Sequence, residues 1–444
     1  RRAFCARDRL GNKPFNYNWD GKTLAFASEL HPILALPWVR EEPNMGMLAE
    51  YLAWEFHSRE ETLWQGVMRL EAGHGMEVGA AGPKPIAYWQ PDVWVTLPYT
   101  RETDYVAHYR DLFADTVRRM SRSNEPVAYE VSGGLDSSAI FAVAKDLQRK
   151  HALPAPALQG YTLDFHDDPD ANELEYSRAV GTHLGCGIQE VTPIQEPLSW
   201  YRDWARRYRE FPGYPNGVMG LAIRKKARAD GCRALLVGVG GDEWVDGSQT
   251  YYAESIAARQ WRELYRCIET DCGEAGVVSS MGWFLRGGIF PLLPNQIRAG
   301  LRKVITRGRI EGIDREAWLT PAMRRRVHER RARSHATPTQ QIRRIGQRGQ
   351  LNMLAGAYSM LAREAEERLS SHTGLDLRRP FWDARIVQFA FSTPERLRLR
   401  GQTTKVLHRQ AMSGLLPERV LARETKASFG ITFRQYLPGM KKLL

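Results

Sequence analysis

The hydrophobic pattern of the chain changes character twice. Up to about residue 97, apolar and polar positions alternate in short runs, as in "FNYNWDGKTLAFASEL" and "GHGMEVGAAGPKPIAYW", which is the two-residue period of strands. Asp20-Gly21 between two such runs predicts a hairpin turn. The segment "QPDVWVTLPYTRETD" has prolines and no period, so residues 1–97 are expected to form one domain and 98–444 a second.

Beyond the boundary the period becomes helical: Tyr105, Val106, Tyr109, Leu112, Phe113, Val117 and Met120 recur at three- and four-residue spacing. A strand over Val127–Val131 follows, then a helix to about Arg149, the strand "ALQGYTL", a helix from about Asn172 and the strand "IQEVT". A helix over 217–229 and the strand "ALLVGVGGDE" complete the alternation. Strand alternating with helix predicts an α/β fold with a parallel sheet covered on both faces. From about Tyr251 onward the pattern is mostly helical.

Composition narrows the classes. A hydrophobic content of 43% over 444 residues supports real cores. The formal charge of +12 permits an anionic partner without choosing one. The five cysteines, Cys5, Cys186, Cys232, Cys267 and Cys272, form no CxxC pair. They argue against a disulfide scaffold and a zinc site, and for a reducing, cytoplasmic setting. No apolar run reaches the ~20 residues of a membrane span, so no membrane partner is expected. The chain starts mid-pattern without an initiator Met and stops at "KKLL". It is expected to be cut from something longer at its start, with a disordered or missing tail at its end.

The chemistry concentrates at "VAYEVSGGLDSSAI", 127–140. In a parallel sheet, ligands sit beyond the carboxyl ends of the strands, and a helix starting there points free N–H groups outward. Gly133 and Gly134 allow close backbone approach, and Ser132, Ser137 and Ser138 add hydroxyls. Asp136 suits phosphate only with a cation between them, which calls for Mg²⁺. The stretch therefore asks for a nucleotide's pyrophosphate. No Walker A pattern is present. A second glycine-rich strand end, Gly238-Val239-Gly240-Gly241-Asp242-Glu243, offers Asp242 as a further Mg²⁺ carboxylate.

Residues 132–138, SGGLDSS, match the loop of the ATP-pyrophosphatase group. With GVGGDE, then "GLDLRRPFWDARIVQFA" and "KVLHRQAMSGLLPERVLARETKASFG", the chain resembles the asparagine-synthetase-type synthetase domain. Residues 1–97 resemble the later half of a class II glutamine amidotransferase domain through Ala6–Gly11, "ARDRLG". Cys5 does not match that fold's N-terminal nucleophile, which leaves glutamine hydrolysis open. The resemblance implies an incomplete, β-rich Ntn-type domain followed by a doubly wound parallel-sheet domain with a helical end.

The resemblance also implies a reaction: ATP activates a carboxylate as an acyl-adenylate, which an amine attacks. Asparagine synthetases usually carry an acidic residue where this chain has Val239, and a glutamate where it has Asp376. The GGDE form looks more like lasso peptide cyclases, which join the N-terminal amine of a precursor core peptide to an Asp or Glu side chain. A leader peptidase and a leader-binding protein would then accompany it. Asparagine synthetase, or another small-molecule amide or β-lactam synthetase, is the alternative. A tRNA-modifying enzyme and an idle nucleotide-binding module are more distant rivals.

By resemblance, residues 132–138 (Ser132, Gly133, Gly134, Leu135, Asp136, Ser137, Ser138), Gly238, Gly240 and Lys405 hold ATP and its pyrophosphate, and Lys426 faces the adenylate and the oxyanion. Asp376 is expected to assist the attacking amine, with Tyr358 as its partner, or else to be a helix cap or an arginine's partner. Asp383 is expected to be structural. The basic stretch 323–350 is read as a solvated helix and loop, with an acidic peptide or nucleic acid as sharper readings. Trp244, Trp283 and Trp382 are expected in the core rather than lining a peptide cavity, and the histidines on the surface or in packing.

Overall fold

The computed structural model describes residues 2–211, 218–294, 296–298, 300, 301, 316–335, 341–431, 433 and 434. The front of the chain builds six short strands: β1 (Ala3–Ala6), β2 (Asn16–Trp19), β3 (Leu24–Ala27), β4 (Val67–Arg69), β5 (His74–Gly79) and β6 (Gly82–Ala87). They form two antiparallel sheets, in order β1-β5-β6 and β3-β2-β4. The expected hairpin is β2–β3, with Asp20 Oδ1 accepting from Lys22 and Thr23 N–H in its turn. Residues 88–101 contain no helix or strand.

The second region carries β7 (Val127–Glu130), β8 (Leu158–Leu163), β9 (Ile188–Val191), β10 (Ala234–Leu236) and β11 (Asp376–Arg378). All pair in parallel, in order β11-β10-β7-β8-β9. The helix Leu135–Arg149 covers one face with Ala139 to Ala144. The helix Leu221–Ala229 covers the other, setting Ile223 and Ala227 against Ala128, Leu235 and Leu377. Burial on both faces explains why these strands read as apolar runs rather than alternating ones. The chain runs outward from β7 to β9, then returns to place β10 on β7's other side. The order reverses between β7 and β10, which is where a doubly wound sheet opens a crevice.

Buried ion pairs tie the two regions together. Arg7 and Arg69 reach Glu364 at 2.8 and 2.9 Å. Arg69 also meets Glu210 at 2.8 Å, and Arg368 meets Glu210 and Glu29. The "ARDRLG" segment is thus a structural clamp: Asp8 accepts from the N–H groups of Leu10, Asn12 and Lys13, and Arg7 also bonds the carbonyls of Gly11, Lys13 and Leu70.

Part of the basic stretch is held in similar contacts, while Arg325, Arg326 and Arg333 are exposed. The helix Pro321–His335 lies on the helix Met45–Ala53. Arg330 pairs with Glu50 and Glu61, and Arg331 with Glu55 and Glu316. Residues 336–340 of that stretch lie outside the described residues. Among the described residues, no helix is long and apolar enough to cross a membrane.

Candidate active site

The two glycine-rich segments follow β7 and β10, the neighbours that flank the crevice. Sequence positions more than a hundred residues apart therefore meet. Gly133 takes φ +78 and lies so close to the helix Leu174–Leu184 that a Cβ there would stand 2.5 Å from Tyr176 Cβ. Ser132 and Ser137 hydroxyls are 2.9 Å apart, and Ser132 Oγ accepts from Gly134 N–H at 3.2 Å. Gly134 caps the helix with no side-chain partner. The first-turn N–H groups are left facing the crevice, as anion binding requires.

The second segment presses onto the first. A Cβ on Gly238 would lie 2.8 Å from Ser137 N, and one on Gly241 would fall inside the Asp136 carboxylate. Leu135 and Ser138 turn inward to hold the helix: Ser138 is fully buried and Leu135 packs on the main core. These two are scaffold for the loop through their side chains.

Four charged groups then line up. Lys405 Nζ bridges Asp136 at 2.5 Å and Asp242 at 2.6 Å, and Lys426 Nζ reaches the other Asp242 oxygen at 2.6 Å. Burial pushes the Asp136 carboxyl up, and Lys405 only partly offsets it. Asp242 is more open: burial raises it too, but Lys405 and Lys426 outweigh that and hold it below its ordinary value. Lys405 loses hydration by burial, yet the two carboxylates keep it firmly protonated.

Several members of the site gave no signal in the sequence. His408 is fully buried, with Nδ1 2.8 Å from Tyr109 OH and Nε2 3.9 Å from Asp136 Oδ1. Burial, reinforced by Lys405 and Arg409, pushes its pKa down to about 3, so the ring is neutral. Asp246 is pushed up to about 6, chiefly by burial. His408 stands three residues past Lys405 in "KVLHRQ", the one cue that could have drawn attention to it.

Asp376 stands apart from this line of charges. It opens β11 beside Ala234 and Val127, the first residues of β10 and β7, whereas Asp136 and Asp242 follow the last residues of those strands. It therefore lies at the opposite edge of the sheet, bonded to Lys13 and Arg378. The reading of it as an arginine's partner is the one the contacts fit. Tyr358 is not its partner either. It begins the helix Ala357–His372, about 20 Å along the axis from the end that leads to β11, and its ring packs on Trp54 and Phe56. Asp383 caps the helix Ala384–Ser392. Trp244 and Trp382 are buried edge-to-face at 5.0 Å, and Trp283 packs half-buried on the Tyr251–Tyr252 cluster.

The residues fit a divalent cation held with phosphate. Asp136 Oδ1 is buried without a hydrogen-bond partner, an oxygen that a cation would satisfy. Among the described residues no group of three or more His, Cys, Asp or Glu could hold a metal. Mg²⁺ uses one or two carboxylates plus substrate phosphates and needs no such cage.

A parallel sheet with a glycine-serine anion cradle and paired carboxylates at its switch point is the arrangement expected of a nucleotide-phosphate site. Comparison with known proteins is more specific. The asparagine synthase family matches residues 108–443, and a glutamine amidotransferase domain matches residues 1–89. The chain belongs to the asparagine synthase family.

It is 24% identical to asparagine synthetase [glutamine-hydrolyzing] 3 of Bacillus subtilis over 99% of this chain and 67% of that protein. It is 28% identical to a putative asparagine synthetase of Methanocaldococcus jannaschii over 56% of this chain and 47% of that protein. It is 26% identical to a putative asparagine synthetase of Mycobacterium tuberculosis, covering 98% and 66% of the two chains. The chain thus spans between 47% and 67% of the length of these relatives.

Proposed function

We propose that this chain is an ATP-dependent, AMP-forming amide ligase acting as a lasso peptide cyclase. The observation that carries the ligase chemistry is the Asp136–Lys405–Asp242–Lys426 line at the switch point. In the first step an Asp or Glu side-chain carboxylate of a core peptide attacks the α-phosphorus, and the bond to the β-phosphate oxygen breaks. The cradle of Ser132–Ser138, with Gly238 and Gly240 allowing the close approach, would receive the pyrophosphate. Asp136 and Asp242 would hold Mg²⁺, whose charge offsets that of the leaving group. Lys405 is nearly buried between them and adds a fixed cation.

In the second step the peptide's N-terminal amine attacks the acyl carbon and AMP departs. The amine's proton passes to solvent or a base, because an α-amine near pKa ~8 needs little help. Lys426 is 70% exposed on its side chain, so it can leave Asp242 and face the oxyanion.

Support for a peptide rather than free aspartate comes from position 239. Val239 packs against both cores of the sheet, so that place offers an apolar side chain and no carboxylate for a substrate ammonium group. A leader peptidase and a leader-binding protein would supply the core peptide. The second reading, a small-molecule amide synthetase, is favoured by the relatives, which are named as asparagine synthetases.

Mass spectrometry with ATP, Mg²⁺ and leader-free core peptides, run beside aspartate with ammonia, separates the two. A peptide that loses one water supports the cyclase. Asparagine with unchanged peptides assigns the small-molecule synthetase instead.

A further inference from the structure

The helix Val277–Trp283 runs on through a π-helical turn, Phe284–Ile289, and a 3-10 turn, Phe290–Leu292. Its residues are arranged inside out. The face turned to the protein carries small residues: Ser280, Gly287 and Gly288 are buried, with Trp283 and Phe284 half-buried beside Tyr251, Tyr252 and Leu264. A Cβ on Gly287 would collide with the Gln249 backbone, and one on Gly288 would stand 3.0 Å from Tyr252 Cβ. The close contact therefore depends on glycine.

The outward face carries Val277, Val278, Met281, Leu285, Ile289 and Leu292, between 38% and 89% exposed. Met281, Leu285 and Ile289 follow at four-residue steps, which the wider π turn keeps in one row. An apolar row of this length is not an incidental surface feature.

Charge distinguishes between possible occupants. From Ala275 to Ile310 the sequence has no Asp or Glu, while Arg286, Arg298, Arg302, Lys303, Arg307 and Arg309 are basic. Arg286 is exposed within the row and, among the described residues, donates to the Gly282 carbonyl at 3.2 Å. The adjacent helix Trp261–Ala275 also exposes Trp261 and Tyr265, side chains suited to a membrane–water boundary.

We propose that the row Val277–Leu292 is a docking surface for anionic lipid. Its apolar side chains enter the boundary between headgroups and acyl chains, and Arg286 meets the lipid phosphates. The absence of a spanning segment led to the expectation of no membrane partner. A surface-lying helix needs one apolar face, not a span, so that expectation does not bear on this mode of binding. The inference is independent of the peptide-cyclase reading.

The test is co-sedimentation of the full chain with vesicles of phosphatidylcholine alone and of phosphatidylcholine with phosphatidylglycerol. Binding is expected to the anionic vesicles, to weaken with added salt, and to fall about tenfold or more in a Val278→Asp, Leu285→Asp double variant. That variant should keep its circular dichroism spectrum and nucleotide turnover. Failure of the wild type to sediment with anionic vesicles overturns the proposal, as does a double variant that binds like wild type. If the wild type ignores vesicles and light scattering shows an oligomer that the variant loses, the row is a protein interface and the lipid assignment is wrong.

Discussion

Lys405 Nζ lies 2.5 Å from Asp136 Oδ2, although 269 residues separate them in sequence. Lys405 holds a left-handed backbone, φ +59, at the start of the helix Val406–Ala411. A lysine in that conformation is strained, and surrounding contacts must hold it there. The two carboxylates, 2.5 and 2.6 Å from its ammonium group, are among them.

Lys405→Met should therefore lower AMP formation by about 10²- to 10³-fold, the scale of losing one fixed charge-stabilising group. Lys405→Arg should not restore it, since a planar guanidinium cannot replace a compact ammonium between two carboxylates. Steady-state kinetics with thermal melts check both. Near-wild-type turnover in Lys405→Met would remove Lys405 from the site.

Lys426→Ala should cost about the same in turnover yet leave the melting temperature nearly unchanged, because its side chain is 70% exposed. Asp136→Ala should likewise abolish turnover in a folded protein. An unimpaired Lys426→Ala enzyme would overturn the oxyanion assignment.

Asp376→Asn and Tyr358→Phe should keep turnover within about twofold, the behaviour of substitutions away from the site. Asp376→Asn should instead slightly lower stability by loosening Lys13 and Arg378. A large loss of kcat with an unchanged melt would return Asp376 to the chemistry.

Glu364 links stability to pH. Burial alone would raise its pKa, but Arg69, Arg7 and Arg368 outweigh it and hold it at about 2, against an ordinary 4.5. Its stabilisation is complete above the ordinary value and is lost as pH falls from there toward about 2. Melting temperature should drop over that window, and Glu364→Gln should flatten the drop while lowering stability at neutral pH. Glu364→Ala leaves buried arginines without a counter-charge and should cost about 3–5 kcal/mol.

Much of the site was legible because its signals are local. Gly133, Gly134, Asp136 and the Gly238–Asp242 turn stand at strand ends that hydrophobic runs mark by themselves. What was not legible depends on register and on distant partners. β11 is three residues long, and no pattern in it reveals that Asp376 lies at the amino edge. The Tyr109–His408 contact and the Arg7–Glu364 pair span 299 and 357 residues. Residues 277–292 fall in the stretch read only as mostly helical, since sequence does not say which face the glycines take.

The measurement that bears most directly on the central claim is the nucleotide product formed with a cyclisable core peptide. AMP and pyrophosphate are expected in equal amounts, matched one for one by peptide lacking one water, and neither in the Asp136→Ala variant. ADP and phosphate, or AMP formed only with aspartate, would contradict it.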